Sequence, residues 1–202
     1  MASRREQIEA AASALFSANG YAATSVRDIA RALDLQGGSL YAHIPSKQAV
    51  LASIVEQAAD RFHAAVGPLA DAPGGAVQRL RAMIAAHVGV VAGAVDRATV
   101  FLFEWTFLAP ERREAVARSR AAYQRYFERV IAEGVAAGEL TPTDPKLAAV
   151  FVLSAMNGLA HWYRPDGRLA AGEIAERYAE LFLDGLAAPR SAAPAGARPS
   201  EH

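Results

Sequence analysis

Apolar residues recur along this chain at the spacing of a helix face. Ile8, Ala12, Leu15 and Phe16 line one side of a segment that opens at Ser3 and stops at Asn19-Gly20. Ser3 with Glu6 forms a capping box, and Asn-Gly is a C-terminal stop. Val26, Ile29, Ala30 and Leu33 make a second stripe, opened by Ser25 with Asp28 in place of the usual Glu or Gln. After a break at Asp34-Leu35, the span from Gln36 to His43 has room for about two turns before Pro45, which disfavours helix in the residue ahead of it. Leu40 and Ile44 give this short piece a buried face and leave Gly37, Ser39, Tyr41 and His43 outside.

Five longer helical patterns follow. Ser46 is an N-cap for a helix carrying Leu51, Ile54, Val55, Ala58 and Phe62 inwards, ended near Val66 by Gly67-Pro68. The span Ala76 to Val95 is apolar at Val77, Leu80, Ile84, Val88 and Val91, and Thr99 to Leu108 is an almost continuous apolar and aromatic run. Pro110 begins a charged helix ending near Gly138, with Val116, Ala117, Tyr123, Phe127 and Ile131 on its inner side. Asp144-Pro145 is an N-cap with Pro at the first helical position. Leu147 to Tyr163 is apolar almost all round, which requires burial on more than one side. A last helix, from Gly172 to Leu186, carries Ile174, Tyr178, Leu181 and Gly185 at helical spacing. The Ala-, Pro-, Gly- and Ser-rich residues 188–202 predict a disordered tail.

The pattern predicts an all-α protein. Residues 1–46 form an N-terminal three-helix helix-turn-helix domain, and 47–187 a C-terminal helical domain for ligand binding and dimerisation. A short helix, a tight turn and a second short helix with a polar outer face is the arrangement that places its second helix in the DNA major groove.

Composition narrows this reading. The chain has 202 residues, 52% of them apolar, enough for a sizeable core. Its 21 basic and 21 acidic side chains cancel. Within the first fifty residues Arg4, Arg5, Arg27, Arg31 and Lys47 exceed Glu6, Glu9, Asp28 and Asp34 by one charge. DNA binding must then rest on a few placed contacts rather than a broad basic field. There is no cysteine, so neither a disulfide framework nor a thiolate metal site is available. With no apolar signal core and no apolar run of the ~20 residues that span a bilayer, the cytoplasm is the expected compartment. The sequence contains no HExxH, GxSxG, GxxxxGK[ST] or GxGxxG motif, and its five histidines lack metal-ligand spacing. An enzyme, a metal and a cofactor are therefore not expected.

The ordered residues Gly20-Tyr21, Thr24, Val26-Arg27-Asp28-Ile29-Ala30, Leu33, Ser39-Leu40-Tyr41, His43 and Pro45-Ser46-Lys47 resemble the DNA-binding domain of the tetracycline-repressor (TetR) family. Ile44 stands where that family usually has Phe, and Gly37-Gly38 with Ala42 supply few side chains for base edges. Downstream, Glu133-Gly134, Gly138-Glu139-Leu140, Asp144-Pro145, Asn157, the run from Trp162 to Gly167, and Gly185-Leu186 resemble a TetR subgroup. Its members respond to acyl-coenzyme A thioesters. The resemblance implies a homodimeric repressor on a palindromic operator, released by a hydrophobic effector, with acyl-coenzyme A thioesters among the candidates. The alternatives are a multidrug- or antibiotic-sensing repressor, and a helical interaction domain that does not bind DNA.

Ser25, Arg27, Ser39, Tyr41, His43 and Lys47 are the candidate DNA contacts, because hydroxyls and cationic groups are the usual phosphate donors. Gly37 adds close backbone approach to the groove. His87, Glu104, Asn157 and His161 are polar residues inside apolar runs. A buried polar group without a partner costs about 1–3 kcal/mol, so each should meet either a protein group or a ligand. With Phe101, Trp105 and Trp162 they suit an apolar pocket dressed with a few orienting groups. The resemblance adds Arg120 as a partner for coenzyme phosphates.

Overall fold

The structure, a computed structural model, describes residues 3–35 and 40–186. The expected tail at 188–202 lies outside them. Every regular element among the described residues is helical, and no single helix is long and apolar enough to cross a membrane.

Both capping boxes form. At α1 (Arg4–Asn19) the Ser3 hydroxyl accepts the Glu6 N–H at 3.2 Å, and the Glu6 carboxylate accepts the Ser3 N–H at 2.7 Å. Gly20, at φ 82°, then turns the chain through the left-handed region that favours glycine. At α2 (Val26–Ala32) the Ser25 and Asp28 side chains close the same reciprocal pair. Leu40 and Ile44 are both buried, joined by a turn in which the Ile44 N–H reaches the Leu40 carbonyl at 3.1 Å.

Helix α3 (Lys47–Ala70) starts under the Ser46 cap but runs through Gly67-Pro68, four residues past the expected end at Val66. Proline in the final turn removes few hydrogen bonds, and the full burial of Val66 and Ala70 holds that turn in place. The Arg79 guanidinium donates to the Ala70 carbonyl at 3.0 Å and satisfies one of the terminal acceptors.

Helix α4 (Ala76–Gly93) ends at Ala94, and the chain swings through 108° into the segment 95–107. That segment is α5 (Val95–Thr99), a π turn at Val100–Glu104 and a 3-10 turn at Trp105–Phe107. A plain α-helix buries one stripe, whereas the wider π turn lets the consecutive residues Val100, Phe101 and Leu102 all face inwards.

Helix α6 (Pro110–Ala136) turns Val116, Tyr123, Phe127 and Ile131 into the core and leaves Ala117 exposed. Helix α7 (Pro145–Asn157) begins with the Asp144 carboxylate accepting the Lys146 and Leu147 N–H groups. The continuous helix expected from Leu147 to Tyr163 is interrupted at Gly158, a poor helix former, before the short α8 (Leu159–Trp162). Nor is α7 buried all round in this chain, because Leu147 and Phe151 are 66% and 65% exposed. On α9 (Ala171–Leu186) Ile174, Ala175, Ala179, Phe182 and Leu183 pack inwards, while Leu181 faces out.

Helices α3, α4, α6 and α7 pack together as the body of the C-terminal unit, and α9 lies along α4. One glycine sets how closely they approach. A Cβ placed on Gly134 of α6 would lie 2.7 Å from the Ala76 Cβ and 2.8 Å from Leu140 Cδ1. Gly134→Val is expected to destabilise the fold by roughly 1–3 kcal/mol through overpacking, read as a lowered midpoint in urea unfolding.

Candidate functional site

The sequence marks two sites, and the structure treats them differently. In the N-terminal unit, the buried Leu40 and Ile44 leave Tyr41, 57% exposed, and His43 on the outside, as the apolar pattern predicts. Arg27 is also exposed, on α2. Ser25 is engaged with Asp28, donating its hydroxyl at 2.5 Å and accepting the Asp28 N–H. The hydrogen bonds from Ser25 hold the Asp28 carboxyl below its ordinary value. Gly37 and Ser39 lie outside the described residues. Lys47 folds back inside the unit: its ammonium donates to the carbonyls of Tyr21 at 2.8 Å and Thr24 at 2.7 Å, and lies 4.0 Å from the centre of the Tyr21 ring.

In the C-terminal unit, α3, α4, the π turn, α6 and α7 enclose a cavity of about 320 Å³. His87, Phe101, Arg120 and Asn157, named from sequence, all line it. His87 is buried, and its Nδ1 lies 3.0 Å from the Tyr123 hydroxyl. Burial drives the His87 imidazole from near 6.5 down to about 3, against a smaller opposing effect of the Asn157 side chain. Burial also pushes the Tyr123 hydroxyl well above its ordinary value, so the contact joins two neutral groups. The neutral ring has one proton for its two nitrogens, so the hydroxyl donates to Nδ1 in one tautomer and accepts from it in the other. Among the described residues no group closes a hydrogen bond on its buried Nε2, and the Asn157 side chain is the polar group that bears on the ring.

Arg120 is the second unmet group. Its guanidinium carbon lies 5.4 Å from the centres of both the Phe101 and the Trp105 rings. Its Nη1 is buried without a hydrogen-bond partner, and no carboxylate among the described residues forms an ion pair with it. Burial lowers its pKa, but a guanidinium stays charged. The cavity thus offers a neutral imidazole on α4 and a cation on α6, set among aromatic rings.

Four other named residues stand apart. Glu104 accepts the Tyr21 backbone N–H at 2.8 Å, which turns it towards the N-terminal unit. His161 is exposed and stacks on Phe103 at 4.1 Å between ring centres, and Trp162 is 49% exposed. Trp105 stands behind Arg120 without lining the cavity itself. Sequence reasoning missed Phe62, His63, Tyr123, Gln124 and Ser154 in the wall. The signal for Tyr123 was present: it carries a hydroxyl on the inward stripe of α6, where that group needs a partner.

Residues 8–54 match the family model for bacterial regulatory proteins of the TetR family, and residues 73–186 match that for the tetracycline repressor-like C-terminal domain. The chain belongs to the TetR family. It is a DNA-binding transcriptional repressor and not an enzyme. The transcriptional repressor KstR2 of Mycobacterium tuberculosis is 27% identical over 186 residues, covering 91% of this chain and 93% of that protein. A solved TetR-family regulator from Rhodococcus RHA1 is 31% identical, with a TM-score of 0.83, covering 93% of this chain and 98% of its own. AibR, solved in complex with isovaleryl coenzyme A and operator DNA, is 27% identical with a TM-score of 0.79, covering 89% of this chain and 97% of its own.

The buried histidine has a consequence for this TetR-family protein. An imidazole held near 3 when folded and 6.5 when unfolded resists protonation, so its contribution to stability is fully present above about pH 6.5 and is lost as pH falls towards 3. Across that window the unfolded chain binds one more proton at this site. His87→Gln is expected to make unfolding free energy less steep with pH by about 1.4 kcal/mol per unit between about pH 6 and 4, measured by denaturant titration at each pH.

Proposed function

We propose that this repressor acts as a homodimer on a palindromic operator and is released by an acyl-coenzyme A thioester whose acyl group enters the cavity. The carrying observation is Arg120, a partly buried cation among aromatic rings with no acidic partner. A desolvated cation calls for an anion, and guanidinium groups pair well with phosphate. In the tautomer with its proton on Nε2, His87, with Asn157 beside it, suits a carbonyl such as that of a thioester. A space of about 320 Å³ is at the small end of ligand pockets and suits the acyl portion, leaving the coenzyme to extend outwards past Arg120. AibR, solved with isovaleryl coenzyme A, supports the same class of effector.

Residues 1–46 serve as the DNA-binding unit and 47–187 as the effector and dimer unit. Arg27, Tyr41, His43, Ser25 and Lys47 form the face towards DNA, with Lys47 reaching a phosphate through the N–H that Tyr21 and Thr24 leave over, and the sequence adds Gly37 and Ser39 as DNA contacts. The exposed apolar side chains Leu147, Val150 and Phe151 on α7 and Leu181 on α9 supply the two-fold interface. In the dimer, effector binding favours a separation of the two recognition helices that no longer fits successive major grooves, about 34–36 Å apart.

Two outcomes are expected. Sedimentation at micromolar concentration gives a dimer, and Phe151→Glu with Leu181→Glu gives a monomer; a stable wild-type monomer would overturn the assembly. Next, a duplex selected from random DNA by the wild-type protein is titrated with octanoyl-, phenylacetyl- and ring-containing acyl-coenzyme A esters and with the matching free acids. A thioester releases the protein, the acid does so poorly, and Arg120→Gln weakens the response about tenfold or more without loss of DNA binding. Equal potency of acid and thioester would remove the coenzyme from the reading.

A further inference from the structure

One residue of the N-terminal unit, Tyr21, is held from four directions, and two of the holds come from the segment that walls the cavity. Its backbone N–H donates to the Glu104 carboxylate at 2.8 Å, and its carbonyl accepts the Lys47 ammonium at 2.8 Å. Its ring meets Phe16 of α1 edge-on at 5.1 Å and Phe107 at 5.5 Å. Beside it, the Gln48 side chain donates to the Phe107 carbonyl at 2.7 Å. Tyr21 lies in the short loop between α1 and α2, four residues ahead of the Ser25 cap that opens the helix-turn-helix.

Glu104 ends the π turn that begins at Val100, and Phe101 and Leu102 of that turn line the cavity. Two residues therefore separate Phe101, a side chain that feels the cavity's contents, from Glu104, which grips the N-terminal unit. A π turn has few ways to absorb a push. It is a locally over-wide helix whose backbone can exchange its hydrogen bonds for the α pattern, and doing so rotates every residue downstream. Displacing Phe101 in this way carries Glu104 and Phe107 with it.

We propose that the Tyr21–Glu104 hydrogen bond is the joint through which the contents of the cavity are communicated to the helix-turn-helix. The inference rests on the cavity being the effector site, and it gives Glu104 a role in coupling rather than in holding the effector. A carboxylate bonded to a backbone N–H is a strong and directional link, and its loss frees the loop that sets the angle of α2. Arg97 of α5 adds a parallel tie: it donates to Gln57, which donates to the buried Glu9 of α1. That path runs through α5, ahead of the π turn, and does not contain Phe101.

The test fills the cavity with protein instead of effector, so that it reads the joint whether or not a thioester binds. Leu153→Trp places a ring in the cavity from α7, and Ala121→Trp does so from α6 should the first variant fail to fold. Each is combined with Glu104→Ala and with Glu104→Gln. Affinity is measured for the duplex that the wild-type protein selects from random DNA, and exchange of the Tyr21 amide is followed by mass spectrometry. Filling the cavity is expected to change DNA affinity about tenfold or more in the parent and to speed Tyr21 exchange. In the Glu104→Ala background the change falls to about twofold or less, and Glu104→Gln, whose amide oxygen still accepts, keeps most of it. A structural role alone would lower stability in Glu104→Ala without altering this ratio. An equal effect of cavity filling in both backgrounds, or a Tyr21 amide indifferent to it, would overturn the proposal. Failure of every thioester with the coupling intact would count against the effector class and leave the joint standing.

Discussion

A single helix has to satisfy two cores at once, and the arrangement of this protein follows from that. Helix α3 has 24 residues, a length of about 36 Å. Near its start Val50, Leu51 and Ile54 are buried beside α1, and near its end Phe62, Val66 and Ala70 are buried beside α4 and α6. Helices do not stretch, so the position of the N-terminal unit is set by how the far end of α3 packs. Phe62 is also a wall of the cavity and stacks on Phe101 at 5.3 Å between ring centres. The contacts that make the core of one unit are thus the same contacts that bound the ligand space, and neither can be altered privately.

The buried polar groups sort into those met and those unmet. Glu9 is 2% exposed, and burial would raise its carboxyl, yet hydrogen bonds from Ser53, Gln57 and Arg5 together hold it below its ordinary value. That network is complete and ties α1 to α3. His87 Nε2 and Arg120 Nη1 are the contrast, on two helices but in one cavity. Arg79 Nε is also unmet, but that guanidinium bonds Ala70 and Glu133 through its other nitrogens, whereas the two open atoms in the cavity share a space that a molecule from outside the chain can enter.

Much of this was legible in the residues. The caps at Ser3, Ser25, Ser46 and Asp144 depend on hydrogen bonds within a few residues, and all four formed where the sequence placed them. Local signals failed where tertiary packing outweighed them. Gly67-Pro68 did not stop α3, because the burial of Ala70 outweighed the local penalty. The run from Thr99 to Leu108 gave no hint of its π turn, since a run apolar on every side carries no periodicity to read. In the site, His87 and Asn157 were recognisable as polar residues in apolar surroundings. Glu104 and His161 carried the same signal and met Tyr21 and Phe103 instead, because the sequence reports that a partner is needed without saying which one.

The neutrality of His87 has a consequence for what the cavity can register. A side chain with an ordinary imidazole pKa changes charge across the range in which the acidity of a living cell drifts. Held near 3, this one does not. Tyr123, which the ring contacts, is pushed the other way, further above that range. His87 therefore presents the same uncharged imidazole to the cavity under mild acid stress and in its absence. A molecule seated against His87 meets a partner whose own charge is the same on either side of such a drift.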